Sequence, residues 1–180
     1  MKHFSFISVI ALLLFFTSCE SAQDKFNRLK EMADQSFAMY EEMSTEDAAT
    51  KDLNKWVERW TEQSDRMQVL VDEIAEDEEF PDEEIDRVIE GYKLAVGMGY
   101  VSKFGATMKH LDDNFQNYSA SDWEENANKM EEIATEAKED RDNDLIRDEE
   151  WVMIQSLLTQ YQQIMNMAVT LGLGETGQLN

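Results

Sequence analysis

Residues 53–74, LNKWVERWTEQSDRMQVLVDEI, decide the fold of this chain. Apolar side chains recur there at every third or fourth position, which places them on one face of an α-helix. Glu62 and Arg66, four residues apart, form a supporting pair on the polar face. We interpret Trp56 and Trp60 as bundle core, with stacking on a sugar or a partner as the alternative. The stretch predicts one long amphipathic helix whose apolar face contains Leu53, Trp56, Val57, Trp60, Met67, Leu70, Val71 and Ile74.

The same periodicity continues on both sides of this helix. It predicts a first helix over residues 22–43, after which Ser44 or Thr45 is expected to cap the long helix. Pro81 is expected at the start of a third helix, because proline is tolerated in a first turn and the acidic residues after it suit the helix dipole. Three helices are therefore predicted to begin in the first half of the chain.

The third helix has an interruption in its apolar pattern. The stripe changes phase within residues 97–100, and four of the seven glycines of the chain lie between Gly91 and Gly105. A glycine inside a helix lowers its stability by about 1 kcal/mol relative to alanine, so another interaction must compensate. We interpret the glycines as sites of close helix packing or of a kink. The alternative is that Gly97 and Gly99 open the backbone onto a ligand pocket.

Two further helices and the overall fold class follow from the rest of the chain. Ser121 and Glu124 have the spacing of a capping box, which predicts the start of a fourth helix. After a polar break at residues 140–144, a last helix is predicted to run from Trp151 until Gly172. No stretch alternates with period two, so no strand is predicted. The fold class is all-α: an antiparallel bundle of four or five helices, preceded by a signal-peptide helix.

One domain is expected. About 160 residues suffice for a single core, and no linker rich in proline, glycine or serine divides them. The predicted organisation is a lipoprotein signal peptide over residues 1–18 and a single acidic helical-bundle domain over residues 19–180. Within that domain, residues 19–22 are expected to form a short tether and residues 174–180 a frayed tail.

The N-terminus has the organisation of an export signal. Lys2 precedes an uncharged run over residues 4–16, and small polar residues follow it. A membrane-spanning helix needs about 20 apolar residues, whereas this shorter run is typical of the hydrophobic region of a signal peptide. Cys19 is the only cysteine, so in an exported protein it has no internal disulfide partner. It is a free thiol, an intermolecular bridge or a modified residue, and modification suits its position best.

Residues 16–19, Phe-Thr-Ser-Cys, resemble the lipobox of bacterial lipoproteins, in which a small residue precedes a cysteine that becomes the acylated N-terminus. Phe16 stands where that family usually has leucine. The resemblance implies that Cys19 carries a diacylglyceryl group and often a third acyl chain, and two or more chains anchor a protein stably. The resemblance also implies that the outer membrane is favoured, because Glu20 rather than aspartate follows the cysteine. The resemblance covers residues 1–19 alone.

The charge of the chain limits its partners. From Cys19 onward it contains 15 Lys and Arg against 39 Asp and Glu, a formal charge of −24. A field of this sign repels phosphate backbones and anionic headgroups, which argues against nucleic-acid binding and against lipid contact beyond the anchor. It favours a basic protein partner or cations.

Histidine is nearly absent, which removes most catalytic and metal chemistry. His110 is the only histidine after the signal, and Thr107 stands three residues before it, where a di-iron bundle would need glutamate. A serine or cysteine nucleophile also needs a neighbouring base. We therefore predict no enzyme and no cofactor, and we interpret His110 as a surface or satisfied core residue. The ten methionines after the signal are read as core filling rather than as Cu(I) ligands.

Two acidic stretches are the candidate binding residues. Residues 140–151 partly match the spacing of a calcium loop, but Leu145 replaces its glycine and Trp151 its glutamate, so an interhelical turn is the favoured interpretation. Its candidate metal ligands are Asp140, Asp142, Asp144 and Asp148. The candidate partner-binding residues of the second stretch are Glu76, Asp77, Glu78, Glu79, Asp82, Glu83 and Glu84.

These observations favour a lipid-anchored envelope protein that acts as a non-enzymatic interaction or structural module with a strongly acidic surface. An envelope protein is the expected partner, and the membrane is reached through acylated Cys19. The alternative is a small-ligand or cation-binding envelope protein whose site lies near residues 97–99 or 140–148.

Overall fold

The computed structural model describes residues 20–48, 50–74 and 80–170. Across these ranges the chain forms five α-helices, a short 3-10 turn at Phe115–Asn117 and no β-strand. The prediction of an all-α bundle is confirmed. The predicted signal-peptide helix, Cys19 and the tail 174–180 lie outside the described residues. The helices are α1 (Ala22–Thr45), α2 (Leu53–Glu73), α3 (Asp82–Asn114), α4 (Ala120–Asp142) and α5 (Asp148–Thr170).

Helix α3 is the centre of the bundle. It contains 33 residues, about 50 Å of helix at the usual rise, and each of the other four helices packs against it. Leu53 of α2 lies beside Gly105 of α3, whereas Gln68 of α2 lies beside Tyr92, so these two helices are antiparallel. The pairs Glu42–Arg59 and Lys25–Glu73 show the same reversal between α1 and α2. Between α3 and α4 it is shown by Tyr100–Asp140 and by the contact of Phe115, directly after α3, with Trp123.

The apolar faces meet in two clusters along α3. The larger one joins all five helices and contains Trp56 and Trp60, both fully buried, which confirms their interpretation as core. The smaller one lies between α1, α2 and the first turns of α3. Its buried members are Phe26, Leu29, Met32, Ala33, Met67, Leu70 and Val88.

The phase change in α3 has a packing cause. Helix α3 is continuous through residues 97–100, and nearly every residue between Leu94 and Ser102 is buried. Helices α2, α4 and α5 meet around this stretch, as the contacts of Gly99 with Trp60, of Gly97 with Glu150 and of Tyr100 with Asp140 show. A helix that packs against neighbours on several sides needs no single apolar face, so the stripe loses its phase there.

Two predicted helix starts are wrong. Ser44 and Thr45 belong to the last turn of α1, where their hydroxyls donate to backbone carbonyls one turn earlier. The N-cap of α2 is Asp52, whose carboxylate accepts from the backbone N–H of Lys55 at 3.2 Å. Asp52 directly precedes Leu53, the first residue of the apolar face, so the first turn of α2 already packs on the core.

The capping box of α4 lies two residues earlier than predicted. Ser119, not Ser121, is the N-cap, and Asp122 takes the role assigned to Glu124. The Asp122 carboxylate accepts from both the backbone N–H and the hydroxyl of Ser119, and these bonds lower the pKa of Asp122. The polar break that follows α4 is also shorter than predicted, because α4 continues through Asp142.

Candidate functional site

The four candidate metal ligands do not converge on one point. Each carboxylate accepts from its own donor instead, and in the described part of the chain no group of three or more His, Cys, Asp or Glu could hold a metal ion. Lys93 donates a hydrogen bond to Asp144, and this bond is the main reason why the pKa of Asp144 is lowered. The donors are Tyr100 for Asp140 at 2.7 Å, Lys138 for Asp142 at 2.5 Å, Lys93 for Asp144 at 2.7 Å, and Arg141 for Asp148.

The candidate partner-binding run is described only in part. Asp82, Glu83 and Glu84 form the first turn of α3, directly after Pro81, where negative side chains suit the helix dipole. Asp82 and Glu83 are exposed, whereas Glu84 pairs with Lys30 of α1 at 2.7 Å. The other four residues, Glu76, Asp77, Glu78 and Glu79, lie outside the described residues.

The glycines of α3 sit where neighbouring helices approach closely. A Cβ atom at Gly91 would lie 2.5 Å from the Cβ of Ala33, and one at Gly97 would lie 2.7 Å from the Cβ and Cγ of Glu150. Gly99 is less crowded, and with Asp140 it lines a surface groove of about 200 Å³ between α2, α3 and α4. Gly91 and Gly97 therefore serve packing, while Gly99 borders an open groove.

A buried ion pair fixes the start of α5 against α3. Glu150 is only 1% exposed, and its two oxygens accept from Nε and Nη2 of Arg147 at 2.7 and 2.5 Å. This hydrogen bonding raises the pKa of Arg147. The alkyl part of Glu150 covers Gly97, so the absence of a side chain there makes room for the pair. Sequence reasoning missed it, although the three-residue spacing of Arg147 and Glu150 was a visible signal.

A surface cavity lies between α2 and α4, over α3. It has a volume of about 350 Å³ and adjoins a second cavity of about 330 Å³, with which it shares Asn54, Ala106, Thr107 and Lys129. The small side chains of Ala106 and Thr107 belong to α3 and keep the space open. Such volumes fall at the lower end of the range of small-ligand sites. The residues lining the first cavity are Asn54, Ala106, Thr107, His110, Tyr118, Asp122, Glu125, Asn126 and Lys129.

The polar residues lining this groove include His110, Glu125, Asn126 and Lys129. The Nδ2 donor of Asn114 lies 3.3 Å from Nδ1 of His110, which favours the tautomer with its proton on Nε2. Lys129 has no ion-pair partner among the described residues. Asn126 is 6% exposed, and its buried Oδ1 accepts no hydrogen bond from the described protein. The groove thus offers the exposed ammonium group of Lys129 as a donor and the exposed carboxylate of Glu125 as an acceptor, and sequence reasoning did not find it.

Burial raises the pKa of Tyr118 at the edge of the groove, and a hydrogen bond with Asn126 acts in the opposite direction.

Within the described ranges, no helix is long and apolar enough to cross a membrane. The chain matches no protein-family model, no curated protein and no solved structure.

Proposed function

We propose that this protein is a lipid-anchored, non-enzymatic binding module of the bacterial cell envelope, exported by residues 1–18 and acylated at Cys19. The position of α1 supports the proposal. Ser21 caps this helix and Ala22 begins it, so the bundle starts within three residues of the acylated cysteine. A chain anchored there holds the folded bundle next to the membrane surface, with the outer membrane favoured by Glu20.

The anchor can be tested with a single substitution. Cys19→Ser is expected to move the protein from the membrane pellet to the soluble fraction, because no thioether-linked acyl chains can then form. Ser18→Ala, which keeps a small residue before the cysteine, is the matched control and should stay in the pellet. Equal sedimentation of Cys19→Ser and the unaltered protein would reject the anchor.

The charge of the bundle indicates the kind of protein it binds. A formal charge of −24 attracts basic surfaces and repels acidic ones over a distance set by the ionic strength. Asp82 and Glu83 are exposed at the start of α3, and the adjoining run Glu76–Glu79 adds four more carboxylates in sequence. This concentration of negative charge suits a basic patch on another envelope protein.

Charge reversal tests the partner. Changing all four residues 76–79 to lysine is expected to abolish recovery of the partner from detergent-solubilised envelopes, with circular dichroism unchanged. The control reverses four exposed carboxylates elsewhere, Glu31, Glu41, Glu124 and Glu131, and should leave recovery intact. Equal recovery with both variants would contradict binding through the acidic run.

A second candidate function, binding of a small ligand, is favoured by the groove over Ala106. Its donors and acceptors suit a small polar molecule without net charge, such as a neutral disaccharide or a zwitterionic amino acid. Ligands of this class should raise the melting temperature, because they bind only the folded chain. Ala106→Leu, which fills the groove, should remove the shift, while Ala120→Leu on the exposed start of α4 should retain it. No shift with the unaltered protein would reject this candidate.

A further inference from the structure

Helix α5 has a charge distribution unlike that of the rest of the chain. No charged residue occurs between Trp151 and Gly174, although the chain contains 39 acidic and 16 basic residues. The acidic residues of α5, Asp148 to Glu150, are all in its first turn. Everything that α5 exposes from Trp151 to Thr170 is therefore uncharged.

Much of this uncharged surface is open to solvent. After the first turn, only Ile154, Tyr161 and Ala168 are fully buried, and they lie seven residues apart along one row of the helix. The principal packing partner of α5 is α3. Four of the eight large hydrophobic side chains exposed in the described ranges belong to α5: Val152 at 67%, Met153 at 38%, Met167 at 54% and Val169 at 38%.

The charge of the molecule identifies the partner that suits this face. Two copies, each with a formal charge of −24, repel each other wherever their acidic helices approach. Residues Trp151 to Thr170 contain no carboxylate, so contact through α5 avoids this repulsion. The side of α5 that bears Val152, Met153 and Met167 would bury these apolar side chains, whereas Val169 lies on the opposite flank of the buried row. A basic partner would gain no ion pair there. We infer that the uncharged face of α5 binds the same face of a second copy of this chain, in a two-fold symmetric dimer.

The geometry of the helix supports a symmetric contact. Met153, Gln160 and Met167 are spaced seven residues apart and are all exposed, so they form one row with Gln160 at its centre. A helix of this length offers about 30 Å of contact, which suits a concentration-dependent dimer rather than a permanent one. The inference does not depend on acylation of Cys19, so either can fail without the other.

Sedimentation velocity tests for the dimer. The sample is the protein comprising residues 19–180 with the substitution Cys19→Ser. The dimer fraction should rise with protein concentration, and also when NaCl is raised from about 0.1 M to about 1 M, which shortens the Debye length from about 10 Å to about 3 Å. Val152→Glu combined with Met167→Glu should weaken the dimer at least tenfold, about 1.4 kcal/mol. Val69→Glu is the control, because Val69 is also a helical valine, 56% exposed, but on α2.

Disulfide trapping locates the contact. In the same cysteine-free background, Gln160→Cys should form a covalent dimer on oxidation, since the centre of the row meets its counterpart in either helix orientation. Val69→Cys should remain monomeric. A protein that stays monomeric at every concentration and salt level would overturn the proposal. So would equal weakening by the Val69→Glu control, or equal trapping at Val69→Cys.

Discussion

Replacing Gly91 by valine is expected to lower the free energy of unfolding by about 3 kcal/mol, the upper part of the range for overpacked cores. A Cβ atom there would lie 2.5 Å from the Cβ and 2.6 Å from the Cα of Ala33. The backbone of α1 would have to move away from α3, and the small cluster around Ala33 would lose contacts. Urea unfolding followed by circular dichroism measures the loss.

Gly99→Ala is the control and should act in the opposite direction. Its Cβ would lie 3.8 Å from the Cβ of Trp60, an ordinary contact, so the higher helix propensity of alanine is gained without a clash. The expected gain is up to about 1 kcal/mol. Destabilisation of similar size at both glycines would contradict the packing described for α3.

The second large effect is expected at the buried ion pair. Arg147→Met should lower the free energy of unfolding by about 3–5 kcal/mol, because it leaves the Glu150 carboxylate buried without its partner. Glu150 is 1% exposed, and both of its oxygens accept from the Arg147 guanidinium. Chemical denaturation at neutral pH measures the change.

The rescue of this variant separates charge from packing. Adding Glu150→Gln to Arg147→Met removes the buried charge while keeping the volume over Gly97, so most of the lost stability should return. Equal instability of the single and double variants would show that the alkyl contacts of Arg147, rather than the ion pair, hold α5 in place.

The helices could be predicted from the sequence because their signal is local. Apolar residues such as Trp56 and Trp60 lie one turn apart, and the chain repeats this spacing in every helix. Caps were harder, since Ser119 and Ser121 both stand three residues before an acidic residue. The choice between them depends on which turn first reaches the core at Trp123, and spacing alone does not show this.

The candidate sites depend on which helices become neighbours, so the sequence could not reveal them. Glu150 ends a run of three acidic residues that reads as a solvated turn, and its burial follows from the approach of α5 to Gly97. The groove over Ala106 forms only because α2 and α4 both pack beside that residue of α3. His110 was predicted as a surface or core residue; it lies exposed at the rim of that groove.

The N-terminus of the native protein tests the central claim most directly. Mass spectrometry of the protein purified from membranes in mild detergent should show a chain that begins at Cys19 and carries a thioether-linked diacylglyceryl group. A chain that begins at another residue, or a Cys19 with a free thiol, would contradict the account of an acidic helical bundle held at the envelope by lipid.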